Sequence, residues 1–149
     1  MADILVCDDD AIFRYFLGRS LARRGLDVVC AESAEQAIAR LARGPLTYAV
    51  IDLDLPATNG FQLLCELLGR APNMRVLVLT RNYSPAVHHA ALLLGAHGCL
   101  SKPADAAEIM NCFMAASPRR LRDTRAFAAL AERQQEELDQ STQRDVLGP

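Results

Sequence analysis

The segment Tyr48-Ala49-Val50-Ile51-Asp52 places an acidic side chain directly after a short apolar run. Three other apolar runs also lead into polar residues: 4–7 before Asp8-Asp9-Asp10, 76–79 before Thr80, and 99–101 before Lys102-Pro103. Such runs are typical of buried parallel strands, whose carboxyl ends lie together at the ligand-binding edge of an open α/β sheet. The sequence therefore predicts an edge that carries carboxylates, a hydroxyl and an ammonium group, which suits a divalent cation and a phosphoryl group.

Strands and helices are predicted to alternate along the chain. Strands are expected over 4–7, 27–30, 48–51, 75–79 and 99–101, and helices over 11–24, 34–43, 60–68, 85–95 and 105–115. In the first helix, apolar positions recur at roughly helical spacing: Ile12, Tyr15, Phe16 and Leu21. Ser33 and Gln36 resemble a capping box before the second helix. Five β-α units with right-handed crossovers predict a doubly wound α/β sheet.

The composition suits one domain of ordinary size with an appendage. The chain has 149 residues, of which 51% are hydrophobic and only 5% aromatic, so the core must be mainly aliphatic. A net charge of −2 argues against general attraction to nucleic acid. No apolar run is long enough to span a bilayer, and Asp3 opposes a signal peptide, so we expect a cytoplasmic protein without membrane association.

Cysteine and histidine residues do not predict a second site. Cysteines occur at positions 7, 30, 65, 99 and 112 without a Cys-x-x-Cys pair, which favours buried thiols in a reducing compartment. A redox-sensing cysteine is the alternative, although the sequence offers no resolving pair. The histidines at 88, 89 and 97 lack metal-ligand spacing and are expected to be surface or packing residues.

Five short motifs together resemble the receiver domain of two-component response regulators. They are Asp8-Asp9, the segment Ile51-Asp52-Leu53-Asp54-Leu55-Pro56, Asn59-Gly60, Thr80 and Lys102-Pro103. Their order and spacing match the family over roughly residues 3–116. The resemblance implies a flavodoxin-like, five-stranded parallel sheet of strand order 2-1-3-4-5 and a cis peptide before Pro103.

Within this resemblance, Asp52 is the candidate nucleophile, because a carboxylate can attack a phosphoryl group and hold it as an acyl phosphate. Mg²⁺, or Mn²⁺, would be held by Asp9, Asp52, the backbone carbonyl of Asp54 and waters, with Asp8 in direct or water-mediated contact. Capping of the following helix is the alternative role of the acidic cluster, and Asp10 is its candidate. Without metal, repulsion among the carboxylates should raise the apparent pKa of at least one of them.

Two further side chains complete the implied site, and two departures change it. Lys102, the only lysine in the chain, would pair with a phosphoryl oxygen, and the Thr80 hydroxyl would swing to donate a hydrogen bond to the phosphoryl group. Arg81 stands where the family has a small residue, and two roles are open for its side chain: it reaches the phosphoryl group or Asp54, or it lies exposed over the loop. Cys99 stands where the family has its switch aromatic, so hydroxyl movement cannot be coupled to aromatic burial in the usual form.

Residues 118–149 differ from the receiver-like part at 1–117 and predict an extra, amphipathic C-terminal helix with a frayed tail. Four residues at a 4-3-4 spacing mark one face of this helix: Phe127, Ala131, Gln134 and Leu138. Three roles are open for this face: packing on the receiver part of the same chain, docking on a partner, or pairing with a second copy. Balanced charge beside an apolar stripe favours the last, a homodimer formed through the helix. The segments 48–55 and 100–106 are similar to redox-responsive regulators with a Fis-like output domain, but the tail does not resemble that helix-turn-helix module.

The sequence therefore predicts a phosphoacceptor, not an enzyme beyond slow self-phosphorylation and self-dephosphorylation. A histidine kinase or phosphotransfer protein would supply the phosphoryl group with Mg²⁺, and an unknown output protein would receive the signal by direct contact. We expect no direct binding of nucleic acid by this chain. One alternative is the N-terminal receiver part of a longer DNA-binding transcription regulator. Another is a pseudo-receiver that binds partners without phosphorylation, an option that Arg81 and Cys99 leave open.

Overall fold

The computed structural model describes residues 3–115, in which strands and helices alternate as predicted. The elements are β1 Ile4–Cys7, α1 Ala11–Arg23, β2 Val28–Ala31, α2 Ala34–Ala42, β3 Tyr48–Asp52, α3 Gly60–Arg70, β4 Arg75–Thr80, α4 Pro85–Leu93, β5 Gly98–Ser101 and α5 Ala106–Met114. Every strand and helix predicted within these residues is present, with ends displaced by at most two residues. The predicted C-terminal helix, and with it the division at 117/118, lies outside the described residues.

All five strands are parallel and lie in the order β2-β1-β3-β4-β5, so the doubly wound, flavodoxin-like sheet is confirmed. The chain order reverses between β1 and β3, which places a crevice at the carboxyl ends of these two central strands. In the register of the sheet, Asp52 lies beside Leu79 and Thr80 lies beside Ser101. The polar residues at the ends of β3 and β4 therefore lie together at the carboxyl edge of the sheet.

Two aliphatic clusters fill the space between the sheet and its helices. Alternate strand residues face opposite sides: Leu5 and Ile51 join helices α2, α3 and α4, whereas Ile4 and Val50 join α1 and α5. Full burial of one such side chain contributes about 1.5–3 kcal/mol to folding. The aliphatic core expected from the composition is thus divided between the two faces. Within residues 3–115, no helix has both the length and the apolar character needed to cross a membrane.

The cap of α2 matches the capping box predicted from the sequence in one of its two hydrogen bonds. The side chain of Ser33 accepts a hydrogen bond from the Gln36 N–H at 3.2 Å, as the capping box predicts. The Gln36 side chain, however, returns to the N–H of Glu32 at 3.0 Å, one residue before the cap. Gly25 and Gly95 follow α1 and α4 with φ angles of 89° and 99°, which glycine adopts without strain at a helix end.

Three of the four apolar positions singled out in the first helix prove to be exposed, and only Leu21 is buried. Ile12, Tyr15 and Phe16 are 72%, 57% and 62% exposed, whereas Leu17 and Leu21 face the sheet. Both sets satisfy helical spacing, so the pattern alone could not choose between them. The unburied set leaves an apolar surface on the first half of α1, next to the carboxyl edge of the sheet.

The five cysteines are free thiols, as expected. Burial raises the pKa of Cys7 to about 12 and that of Cys99 to about 11, and it also raises the pKa of the other three. A thiolate is the reactive form, so these environments oppose a redox-sensing role.

Two of the histidines have packing roles: His97 is buried with Nε2 2.9 Å from the Cys112 carbonyl oxygen, and His88 Nδ1 lies 2.8 Å from the Tyr83 hydroxyl.

Candidate functional site

Three carboxylates converge at the carboxyl ends of β1 and β3. One oxygen from each of Asp8, Asp9 and Asp52 lies within 4.8 Å of the others. Asp8 and Asp52 are buried, while Asp9 is exposed and leaves the cluster open to solvent on one side. Oxygen ligands at this spacing suit a hard cation such as Mg²⁺, so the donor set fits the metal that the sequence implies.

Asp10 has a different role from its two neighbours. Its carboxylate accepts hydrogen bonds from the N–H groups of Ile12 and Phe13 at 3.0 and 3.1 Å and so caps α1. The bond from Phe13 is the larger cause that lowers the pKa of Asp10. The capping alternative therefore holds for Asp10, whereas Asp8 Oδ1 accepts from the Asp10 N–H at 2.9 Å and Asp8 does not cap α1.

Asp52 is held in a position that disfavours its negative charge. Burial raises its pKa above the ordinary value, and the nearby charge of Asp8 adds to the effect. The backbone N–H of Asp54, 2.9 Å from Asp52 Oδ1, opposes this rise. Repulsion between carboxylates was expected to raise a pKa in this cluster, but loss of solvent is the larger cause for Asp52.

Lys102 lies between the two buried carboxylates. Its Nζ is 2.7 Å from Asp8 Oδ2 and 3.5 Å from Asp52 Oδ2, and its side chain is only 5% exposed. The ammonium group also lies 4.6 Å from the centre of the Phe13 ring, a cation–π contact. The peptide bond that follows, Lys102–Pro103, is cis, as the resemblance implies. Phe13 was not among the apolar positions singled out in α1, so this contact was not predicted.

Thr80 ends β4 and is buried, but its hydroxyl bonds to a residue that the sequence did not suggest. Oγ1 donates to Asp54 Oδ2 at 3.3 Å and accepts from the N–H of Asn82 at 3.1 Å. The N–H of Arg81 donates to the same Asp54 oxygen at 3.0 Å. Sequence reasoning gave Asp54 a role only through its backbone carbonyl, so the structure adds its side chain to the site.

Of the alternatives open for Arg81, the structure shows the exposed side chain and not a pairing of its guanidinium with Asp54. Its guanidinium Nη2 lies 3.7 Å from Asp10 Oδ2, and the side chain is 65% exposed. The Asp54 carboxylate is already engaged by the Arg81 backbone and by Thr80, so the guanidinium extends toward the loop before α1. An exposed ion pair of this kind contributes little to stability, at most about 1 kcal/mol.

Cys99 does not join the site. It lies on β5 beside Val78 and is 1% exposed, within the cluster that faces α2, α3 and α4. A small buried thiol cannot move between exposed and buried positions as a ring can. This supports the expectation that an aromatic switch at this position does not operate in its usual form.

The loop after Asp52 depends on a close backbone approach. A Cβ on Gly60 would lie 2.5 Å from the Leu53 Cα and 2.8 Å from the Leu53 oxygen, so only glycine fits without a shift of the backbone. Asn59 caps α3 by accepting from the Phe61 N–H at 2.9 Å. The Asn59-Gly60 motif therefore fixes the loop that presents Asp54.

Comparison with known proteins agrees with this geometry. The family model of the response regulator receiver domain matches residues 4–113. The photosynthetic apparatus regulatory protein RegA of Rhodobacter capsulatus is 38% identical over 112 residues, which cover 75% of this chain and 61% of RegA. The DNA-binding transcriptional activator DevR/DosR of Mycobacterium tuberculosis is 36% identical over 133 residues, which cover 87% of this chain and 61% of that protein. The chain thus spans about three fifths of the length of these two relatives.

A solved structure extends the similarity to three dimensions. The response regulator protein from Burkholderia pseudomallei, crystallised with a phosphorylated aspartic acid, calcium ion and citrate, matches with a TM-score of 0.72 at 30% identity. The match covers 91% of this chain and 75% of that one. Receiver domains accept a phosphoryl group on an aspartate and are not enzymes in the ordinary sense. With the family model matching most of its length and the parallel sheet carrying an acidic edge, the chain belongs to the response regulator receiver family.

Proposed function

We propose that the chain is a phosphorylation-dependent receiver that takes up a phosphoryl group on Asp52. The observation that carries this is the placement of Asp52 at the end of a central strand, within 4.8 Å of Asp8 and Asp9 oxygens and 3.5 Å from Lys102 Nζ. An Asp52 oxygen forms a bond to phosphorus, and the bond between phosphorus and the donor nitrogen or oxygen breaks. The electron pair of that bond leaves with the donor.

The site must offset the charge of the incoming group. Mg²⁺, held by Asp8, Asp9, Asp52 and the backbone carbonyl of Asp54, would supply positive charge there when bound. Lys102 would turn its ammonium from the Asp52 carboxylate to a phosphoryl oxygen, a short movement because Nζ already lies between Asp8 and Asp52. The Thr80 hydroxyl would donate a hydrogen bond to another phosphoryl oxygen.

The donor would be a histidine kinase or phosphotransfer protein that docks on α1. A donor must bring its phosphoryl group to the carboxyl edge, and the exposed apolar surface of Ile12, Tyr15 and Phe16 begins one turn from Asp9. Contiguous exposed apolar groups are typical of an interaction site. Arg19 and Arg23 line a groove beside Phe16, so acidic groups at the rim of the donor would complement this surface.

Labelling by a small phosphodonor tests the assignment of Asp52. Incubation with acetyl phosphate and Mg²⁺ should add one phosphoryl group to the native chain, and a chelator should slow the reaction strongly. Asp52→Asn should remain unlabelled, whereas Asp27→Asn, at the opposite edge of the sheet, should be labelled as the native chain is. Equal labelling of the Asp52→Asn variant would reject the assignment.

A second candidate function is the N-terminal receiver part of a longer DNA-binding transcription regulator. The chain covers only 61% of DevR/DosR, a DNA-binding transcriptional activator. Sequencing the coding region past Pro149 would decide, because a helix-turn-helix segment there would favour this candidate over a receiver that acts through a separate output protein. A pseudo-receiver would bind its partners equally well before and after acetyl phosphate treatment. The cytoplasmic location and the homodimer formed through residues 118–149 also remain proposals.

A further inference from the structure

Asp54 carries a carboxylate for which the proposed phosphorylation has no use. Its Oδ2 accepts two hydrogen bonds from the end of β4, one from the Thr80 hydroxyl at 3.3 Å and one from the Arg81 N–H at 3.0 Å. The Asn82 N–H donates to Thr80 Oγ1 at 3.1 Å, so the hydroxyl proton itself is directed elsewhere, toward Asp54. These bonds tie the loop after β3 to the first residues of the β4–α4 connection.

We propose that Asp54 is a positioning residue that holds the Thr80 hydroxyl in a resting position and competes for it with a phosphoryl group on Asp52. The inference rests on the proposed function, since it needs phosphorylation at Asp52. A hydroxyl has one proton, so Thr80 donates either to Asp54 or to the phosphoryl oxygen. The bond to Asp54 therefore stabilises the resting state and opposes the phosphorylated one.

The same arrangement gives the switch a route that needs no aromatic ring. Cys99, buried and small, cannot follow the hydroxyl, but Arg81 and Asn82 are bonded directly to the two partners in the competition. When the Thr80 hydroxyl turns away from Asp54, Asp54 Oδ2 keeps only the hydrogen bond from the Arg81 N–H. The ion pair between the Arg81 guanidinium and Asp10 is then free to rearrange with the backbone that carries it.

Substitutions at Asp54 separate its charge from its hydrogen bond. Asp54→Asn removes the charge but keeps a carbonyl oxygen that can accept from Thr80, whereas Asp54→Ala removes both. We use beryllofluoride with Mg²⁺ as the probe, because it mimics an aspartyl phosphate without turnover. Asp54→Ala should bind the probe about fivefold more tightly than Asp54→Asn, the effect of one hydrogen bond that no longer has to be broken.

A double-mutant cycle shows whether this effect passes through Thr80. In a Thr80→Val background, where no hydroxyl competes, Asp54→Ala and Asp54→Asn should bind the probe equally. Loss of the Arg81 N–H bond occurs in both backgrounds and cancels in the cycle. The same fivefold difference in both backgrounds, or no difference in either, would overturn the role given to Asp54.

Side-chain NMR of the unphosphorylated protein gives a readout that does not depend on phosphoryl binding. Three-bond couplings to the Thr80 methyl should report one χ1 rotamer in the native chain and in Asp54→Asn, and averaging over rotamers in Asp54→Ala. A fixed rotamer in Asp54→Ala would contradict the inference. If the native chain binds no beryllofluoride and accepts no phosphoryl group, the proposed function fails and the competition at Thr80 fails with it. Normal binding with zero coupling in the cycle rejects the competition alone.

Discussion

Lys102 compensates two buried carboxylates unequally. Its Nζ lies nearer to Asp8 than to Asp52, at 2.7 against 3.5 Å, so the charge of Asp52 is the less well offset of the two. Burial removes the Asp52 carboxylate from solvent and so raises its pKa, and the more distant ammonium of Lys102 offsets this only in part. Without a cation, ionised Asp52 should therefore cost the folded protein stability.

Asp52→Asn should increase the free energy of unfolding of the metal-free protein at pH 7, because the variant has no buried carboxylate to ionise. The pKa of Asp52 is raised by folding, so the native state loses stability as the pH rises through that raised pKa. The gain should shrink as the pH falls toward 3.8, the ordinary value, because the carboxyl then becomes protonated in the folded and unfolded states alike.

Urea unfolding with a chelator present measures this difference, with Asp27→Asn as the control for a change of net charge. A variant that is no more stable than the native chain at pH 7 would mean that Lys102 already offsets the charge of Asp52 in full. Added Mg²⁺ should reduce the difference, because a bound cation stabilises only the chain that keeps the carboxylate.

Among the elements, α1 illustrates what a sequence pattern can and cannot specify. Its start and end were predictable, since Asp10 caps it and Gly25 follows it. Its buried face was predicted only in part, because apolar residues occur on both sides of the helix at helical spacing, and packing against the sheet buries Leu17 and Leu21 but not Phe16. Phe13, which was not singled out, lies on the side of α1 that contacts Lys102.

Phe16→Ala should reduce phosphoryl transfer from a protein donor by about tenfold or more, because removing a large exposed anchor weakens docking. Transfer from acetyl phosphate should be unchanged, because Phe16 has no part in the acidic edge. Met114→Ala on α5, where the native side chain is 72% exposed against 62% for Phe16, is the matched control and should behave as the native chain does with both donors. An equal loss with both donors would indicate damage to the site rather than to docking.

In the whole molecule, the sheet collects residues that are far apart in the chain. Lys102 contacts Asp8 and Asp52, which lie 94 and 50 positions earlier. This grouping was predictable because each residue ends or follows an apolar strand, and parallel strands end at one edge. The side-chain roles of Asp54 and Arg81 could not be predicted, because they depend on the direction in which loop residues point after the strands end.

The most direct test of the account is to locate the phosphoryl group on the native chain. After reaction with acetyl phosphate and Mg²⁺, borohydride reduction converts an aspartyl phosphate to homoserine, which peptide mass spectrometry can assign to one position. We predict that the reduced residue is Asp52 alone and that omission of Mg²⁺ strongly lowers its yield. Homoserine at Asp8, Asp9 or Asp54 in place of Asp52, or a chain that takes up no phosphoryl group, would contradict it.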